Sequence, residues 1–204
     1  MATSIHDLAA LYDAQGHHAQ AEPLYKGALA IRKKSLAPNH PDVATNLNSL
    51  AKLYSIQGQY AKAERLYQRA LTIRENALGE NHYSVAVSLN NLAVLYYAQR
   101  EHAQAEPLYK RALGIWEKAL GADHPDVGTC IRNLAMLYHT QGQNVLADTL
   151  FNRALAISEK AYGPTHPDVA TCLESMTEFY KTTGREMAGK KIAKRAADIR
   201  TLKR

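Results

Sequence analysis

Leu47, Leu50, Ala51 and Tyr54 stand at i, i+3, i+4 and i+7, the spacing that lays side chains along one stripe of an α-helix. A second stripe follows at Ala63, Tyr67, Ala70 and Leu71, with polar residues filling the gaps. Gly58 lies between the two stripes and predicts the end of one helix and the turn into the next. This figure is written five times. Copies begin at Ile5, Leu47, Leu89, Ile131 and Leu173, in step with His40-Pro41-Asp42-Val43, His82-Tyr83-Ser84-Val85, His124-Pro125-Asp126-Val127 and His166-Pro167-Asp168-Val169, which recur every 42 residues. A fixed period of this length predicts an array of stacked helix pairs. The units run over about 1–36, 39–78, 81–120, 123–162 and 165–204.

Small and large residues alternate inside each unit for a packing reason. Ala51, Ala63 and Ala70 let two helix axes approach closely, and Tyr54 and Tyr67 fill the space beside them. Between units, Asn39, Asn81, Asp123 and Thr165 stand three residues before Asp42, Ser84, Asp126 and Asp168, in the manner of a capping box, so those four are the expected N-caps. Pro41, Pro125 and Pro167 fall in the first turn, where a missing N–H costs least. Pro23 and Pro107 sit near the start of a second helix, where a bend or a shifted start is expected.

The run HPDVATNLNSLAKLYSIQGQYAKAERLYQRALTIRENALG resembles the 42-residue tetratricopeptide repeat of kinesin light chains and of the bacterial proteins similar to them. The likeness covers nearly the whole chain. It implies an all-α fold, a right-handed superhelix (α-solenoid) of antiparallel helix pairs, and a binding role. The uniform repeats point to a bacterial homologue. The heptad coiled coil that joins a kinesin light chain to its motor subunit is absent from these 204 residues, so a motor-subunit role is not expected. Smaller departures are Arg100 where other units carry Gly16, Gly58, Gly142 or Gly184, and Thr177, Ala193 and Ala197 where others carry Ala, an aromatic residue and Leu. Met1-Ala2-Thr3-Ser4 aligns with Val43-Ala44-Thr45-Asn46, so the chain opens inside a repeat, as an excised segment or an uncapped edge would.

Stacked pairs leave a concave groove lined by the first helix of each unit, a surface suited to extended or helical peptides. The resemblance places Asn48, Ser49 and Lys52, then Asn90, Asn91, Val94 and Tyr97, then Arg132, Asn133 and Met136 on that groove. An Asn amide offers a donor and an acceptor, so a row of them can bond a peptide backbone of any sequence. Lys52 and Arg132 suit carboxylates, and Val94, Tyr97 and Met136 suit an apolar anchor. The expected ligand is a protein or peptide with a bulky apolar residue beside acidic ones, similar to the tryptophan-acidic cargo of kinesin light chains. The bland reading is that these Asn residues only solvate an exposed helix face.

Charge changes little. The net charge is +6, and residues 185–204 hold all of it: Arg185, Lys190, Lys191, Lys194, Arg195, Arg200, Lys203 and Arg204 against Glu186 and Asp198. A nucleic-acid reader spreads its basic stripe along the surface that follows the phosphates, so this confinement argues against one. The tail reads first as a solubilising cap on an Ile192, Ala196, Ile199 stripe, with an acidic partner or an anionic membrane surface as rivals. A further alternative is self-assembly into a homo-oligomer through the uncapped first unit.

No stretch is apolar enough to span a membrane and no leader precedes a cleavage site, which implies a cytoplasmic protein. Cys130 and Cys172 are read as reduced packing residues. His40, His82, His124 and His166 come one per unit, about 10 Å apart per helix layer, too far to share a metal ion. His17-His18 has no carboxylate or thiol at ligand spacing. With no Gly-rich phosphate loop, HExxH or paired carboxylates in an apolar run, the expectation is a scaffold without catalysis, cofactor or metal.

Overall fold

The computed structural model describes residues 1–202; Lys203 and Arg204, counted above in the basic tail, lie outside the described residues. Ten α-helices are described, and among the described residues there is no strand: α1 (Ala2–Ala14), α2 (His18–Ser35), α3 (Pro41–Ile56), α4 (Tyr60–Leu78), α5 (Tyr83–Ala98), α6 (His102–Leu120), α7 (Pro125–Thr140), α8 (Asn144–Tyr162), α9 (Pro167–Thr182) and α10 (Glu186–Thr201). The chain divides within α6 into two compact units, Met1–Leu108 and Tyr109–Arg204. In the first, α1 packs on α2 and α3 on α4, and α3 and α5 lie against the preceding second helices. In the second, α7 packs on α8 and α9 on α10, with α8 against α9.

The predicted stripes form the core. Leu47, Ala51, Ala63, Tyr67 and Ala70 are buried in the first unit, and Ile131, Ala135, Ala147, Phe151 and Ala154 are their counterparts in the second. Zero exposure at these alanines lets the helices of a pair approach closely, which fixes which faces remain outside. Pro23 and Pro107 lie inside α2 and α6, which continue unbroken through them. Among the described residues no helix is long and apolar enough to cross a membrane.

The helix starts correct one expectation. The N-caps are His40, His82, His124 and His166, not Asn39, Asn81, Asp123 and Thr165. In each, Nδ1 accepts from the backbone N–H two residues on, at Asp42 (3.1 Å), Ser84 (3.1 Å), Asp126 (3.2 Å) and Asp168 (3.2 Å). An imidazole nitrogen thus satisfies one of the donors that every helix start leaves open. Accepting at Nδ1 requires the ring proton on Nε2.

Second helices reach the next first helix through two polar contacts that recur. Tyr54 donates its hydroxyl to Glu22 (3.2 Å), Tyr96 to Glu64 (2.8 Å) and Tyr180 to Asp148 (3.1 Å), so the ring fills the layer while its oxygen ties it to the preceding repeat. Arg32 and Arg74, both 6% exposed, lie under the neighbouring helix. Arg32 donates to the Asp42 carbonyl (3.2 Å) and to Asn46, and Arg74 to the Ser84 carbonyl (3.0 Å), Ser88 Oγ (2.8 Å) and Thr45 Oγ1 (3.4 Å). At the same register α8 has Ser158, which lines a small void of about 40 Å³ with Thr129, Arg132 and Thr171.

Most turns between paired helices put glycine in the left-handed region, with φ of 77° at Gly16, 73° at Gly58, 77° at Gly142 and 76° at Gly184. Arg100 takes that place at φ 63°, where its Cβ crowds the backbone. Glycine removes that crowding but loses more chain freedom on folding. Arg100→Gly is therefore expected to raise stability by about 0.5–1 kcal/mol, read as a higher urea midpoint at unchanged slope; a lower midpoint contradicts the strain.

Candidate functional site

Within the first unit α3 lies against α1 and α5, and within the second α7 lies against α9, so first helices adjoin one another on a common face. In the first unit, Asn48, Ser49, Asn91 and Tyr97 are half-buried and Lys52 and Val94 exposed. Asn90 differs: at 8% exposure it belongs to the packed layer. Its neighbour Asn91, turned about 100° further round the helix, is half-buried instead. Lys52 Nζ lies 3.9 Å from Asp13 Oδ2. Tyr97 stacks on His102 with centroids 5.8 Å apart, and burial pushes its phenol pKa up. Val94, 41% exposed on a helix whose other large apolar side chains are mostly covered, is the available apolar contact.

The place of Asn48 in the first repeat is taken by His6, tilted against Tyr25 at 5.2 Å. Burial, and after it the Arg32 guanidinium, hold His6 below the usual histidine pKa and so favour its neutral form. In the second unit Arg132, Asn133 and Met136 are half-buried on α7. Arg132 Nη1 donates to Ser175 Oγ on α9 at 3.3 Å and lies 4.0 Å from Met136 Sδ, which fixes the guanidinium over the face without neutralising it.

Most arginines of the basic tail are consumed locally. Arg185 pairs with Asp148 (2.9 Å), Arg195 with Glu159 (2.6 Å) and Arg200 with Glu174 (3.0 Å). The Glu174 carboxyl is held below the usual range by its hydrogen bond from Arg200. Lys190, Lys191 and Lys194 remain exposed on α10. The tail's charges were expected on the solvated face of a cap, and these pairs were not foreseen; the spacing of 36 residues between Glu159 and Arg195 repeats that between Glu117 and Arg153, which pair at 2.7 Å, and was the available signal.

Both cysteines are buried and unpaired with each other. Desolvation pushes the Cys130 thiol up to about 12 and the Cys172 thiol up to about 11, which leaves neither as a nucleophile near neutrality. Among the described residues no cluster of His, Cys, Asp and Glu could hold a metal ion.

The profile of the tetratricopeptide repeat matches residues 1–76, 47–117, 84–157 and 132–200. No curated protein matches the chain. Among solved structures, BtubC (BKLC) from P. vanneervenii is 30% identical, with a TM-score of 0.78 over 97% of this chain and 79% of that one. A Podosopora anserina protein of nearly identical TPR-like repeats, named after kinesin light chain, is 26% identical, with a TM-score of 0.74 over 99% of this chain and 96% of that one. A point variant of that protein gives 26% and 0.76 over 98% and 95%. The fold is thus that of the all-α repeat superhelices, with kinesin-light-chain-like proteins among its structural relatives. Repeats that match end to end, helix pairs that advance by 42 residues and these structural likenesses agree, and the chain belongs to the tetratricopeptide repeat family.

Proposed function

We propose that the chain is a non-catalytic scaffold whose first-helix faces hold peptide segments of a protein partner, with a preference for a bulky apolar residue beside acidic ones. Members of this repeat family are scaffolds for protein–protein interaction. The observation that carries the reading is the composition of the adjoining first helices α3 and α5, which leave Lys52 and Val94 exposed and Asn91 partly accessible while their other faces are buried. Asn91 offers an amide to a peptide backbone, and Lys52, its own side chain exposed, offers a cation whose 3.9 Å contact with Asp13 is long, hence exchangeable for a ligand carboxylate. Val94 supplies apolar contact. In the second unit the positioned Arg132 is suited to a planar carboxylate.

The test is a fluorescence-anisotropy screen of peptides that combine one tryptophan, phenylalanine or leucine with flanking acids. For the peptides that bind, Asn91→Ala with Arg132→Ala is expected to weaken affinity at least about tenfold, with unchanged far-ultraviolet circular dichroism. Ligands that bind this double variant as well as the native chain would remove the first-helix faces from the reading.

A further inference from the structure

A furrow between α3 and α4 of the first unit has a charge pattern that the other repeats do not share. Its floor is Leu50 and Tyr54 of α3 with Leu66 of α4, and its rim carries Lys62, Arg65 and Arg69, one beneath the other along α4. The cavity measures about 420 Å³ and its lining is mainly apolar. Tyr54 spans its bottom: the hydroxyl reaches Glu22 on α2, while Lys26 and Lys62 stand 6.0 and 5.4 Å from the ring centre. Glu22 is already engaged by Lys26 at 2.7 Å, so its charge is spoken for.

The unusual feature is a missing acid. In later repeats the arginine at the register of Arg69 pairs with a glutamate on the preceding second helix, Arg153 with Glu117 at 2.7 Å and Arg195 with Glu159 at 2.6 Å. Two repeats before Glu117, at the same register, the chain has Lys33. A cation replaces the anion, and among the described residues neither Arg65 nor Arg69 has an ion-pair partner. The result is a run of three cations beside an apolar trough, with Lys33 adding a fourth from α2.

We propose that this furrow is a second binding site, distinct from the residues Lys52, Asn91, Val94 and Arg132 named above, for an acidic peptide segment that carries one apolar side chain. The apolar side chain enters the trough over Tyr54 and Leu66, where it exchanges water for hydrocarbon. Flanking carboxylates meet Arg65 and Arg69, whose planar guanidinium groups accept bidentate pairing and which spend no existing ion pair to do so. A recessed floor between two helices favours a peptide over a flat anionic bilayer, which would touch the rim and leave the trough empty.

The probe is a fluorescein-labelled peptide with one leucine flanked on each side by two glutamates, titrated by anisotropy at low salt into the chain carrying Asn91→Ala and Arg132→Ala, in which the first-helix faces proposed above are disabled. Saturable binding is expected below about 1 mM. Arg65→Glu with Arg69→Glu is expected to raise Kd about tenfold or more. Lys33→Glu, which restores the ion pair of the other repeats, is expected to raise Kd several-fold with no loss of thermal stability, and this variant guards against misreading a folding defect. The proposal is overturned by absence of saturable binding in that background or by a Kd indifferent to the charge variants. It is equally overturned if phosphatidylserine vesicles, and not the peptide, bind with the same dependence on Arg65 and Arg69.

Discussion

Arg74→Glu is expected to destabilise the fold by about 3–5 kcal/mol, enough to lower the denaturation midpoint sharply in a urea titration followed by circular dichroism. Arg74 is 6% exposed, and the groups around its head are acceptors: the Ser84 carbonyl, Ser88 Oγ and Thr45 Oγ1. No carboxylate is among its partners, so neutral oxygens stabilise the charge, and burial lowers its pKa without neutralising it. A glutamate there would place an anion against a carbonyl oxygen and strand that oxygen without a donor. Arg74→Met separates charge from volume. It gives up the hydrogen bonds but also the cost of desolvating the guanidinium, and is expected to stay within about 1.5 kcal/mol of the native chain. Equal losses for the two substitutions would show that packing alone matters at this register.

Phe151→Ala is the second large effect, about 3–5 kcal/mol. The ring is 1% exposed on α8 and its centre lies 5.3 Å from that of Phe179 on α9. Its removal opens a void between two repeats, and the alanines that flank it, Ala147 and Ala154, are too short to collapse into the space. In a repeat array each unit leans only on its neighbours, so the loss should be local. Hydrogen exchange is expected to accelerate first in α8 and α9; uniform acceleration over α1–α5 as well would contradict that picture.

Most of the fold could be read from the chain because its period is strict and its stripes are pure. Leu47, Ala51, Ala63 and Tyr67 announced their helices and are buried in them. The helix caps were misread by one residue, since Asn39, Asn81, Asp123 and Thr165 are intrinsically better capping side chains than histidine. Pro41, Pro125 and Pro167 held the answer: a proline in the first helical position leaves the residue before it, His40, His124 or His166, as the cap.

Interactions between repeats were harder to read. Arg32 and Arg74 are charged residues in a buried layer, and a rule that sends charge outward hides them. Their trace is a pairing of register, Arg32 with Asn46 and Arg74 with Ser88, legible only if the next repeat is assumed to lie against the last one. The same holds for the hydroxyl contacts of Tyr54, Tyr96 and Tyr180 with acids 32 residues earlier. Of the first-helix residues that the resemblance places on the groove, Val94 is exposed and Asn91 half-buried. Asn90 is buried, because a helix surface beside another helix is half covered and a periodic pattern cannot say which half.

The two thiols of the second unit give the molecule an internal clock. Cys130 on α7 and Cys172 on α9 are sealed from solvent, and no other sulfhydryl competes with them. An alkylating reagent can reach either one only during an excursion that parts the helices around it. The rate of adduct formation at each sulfur, followed by mass spectrometry, therefore times the breathing of two successive hairpins separately, without a dye or an engineered label.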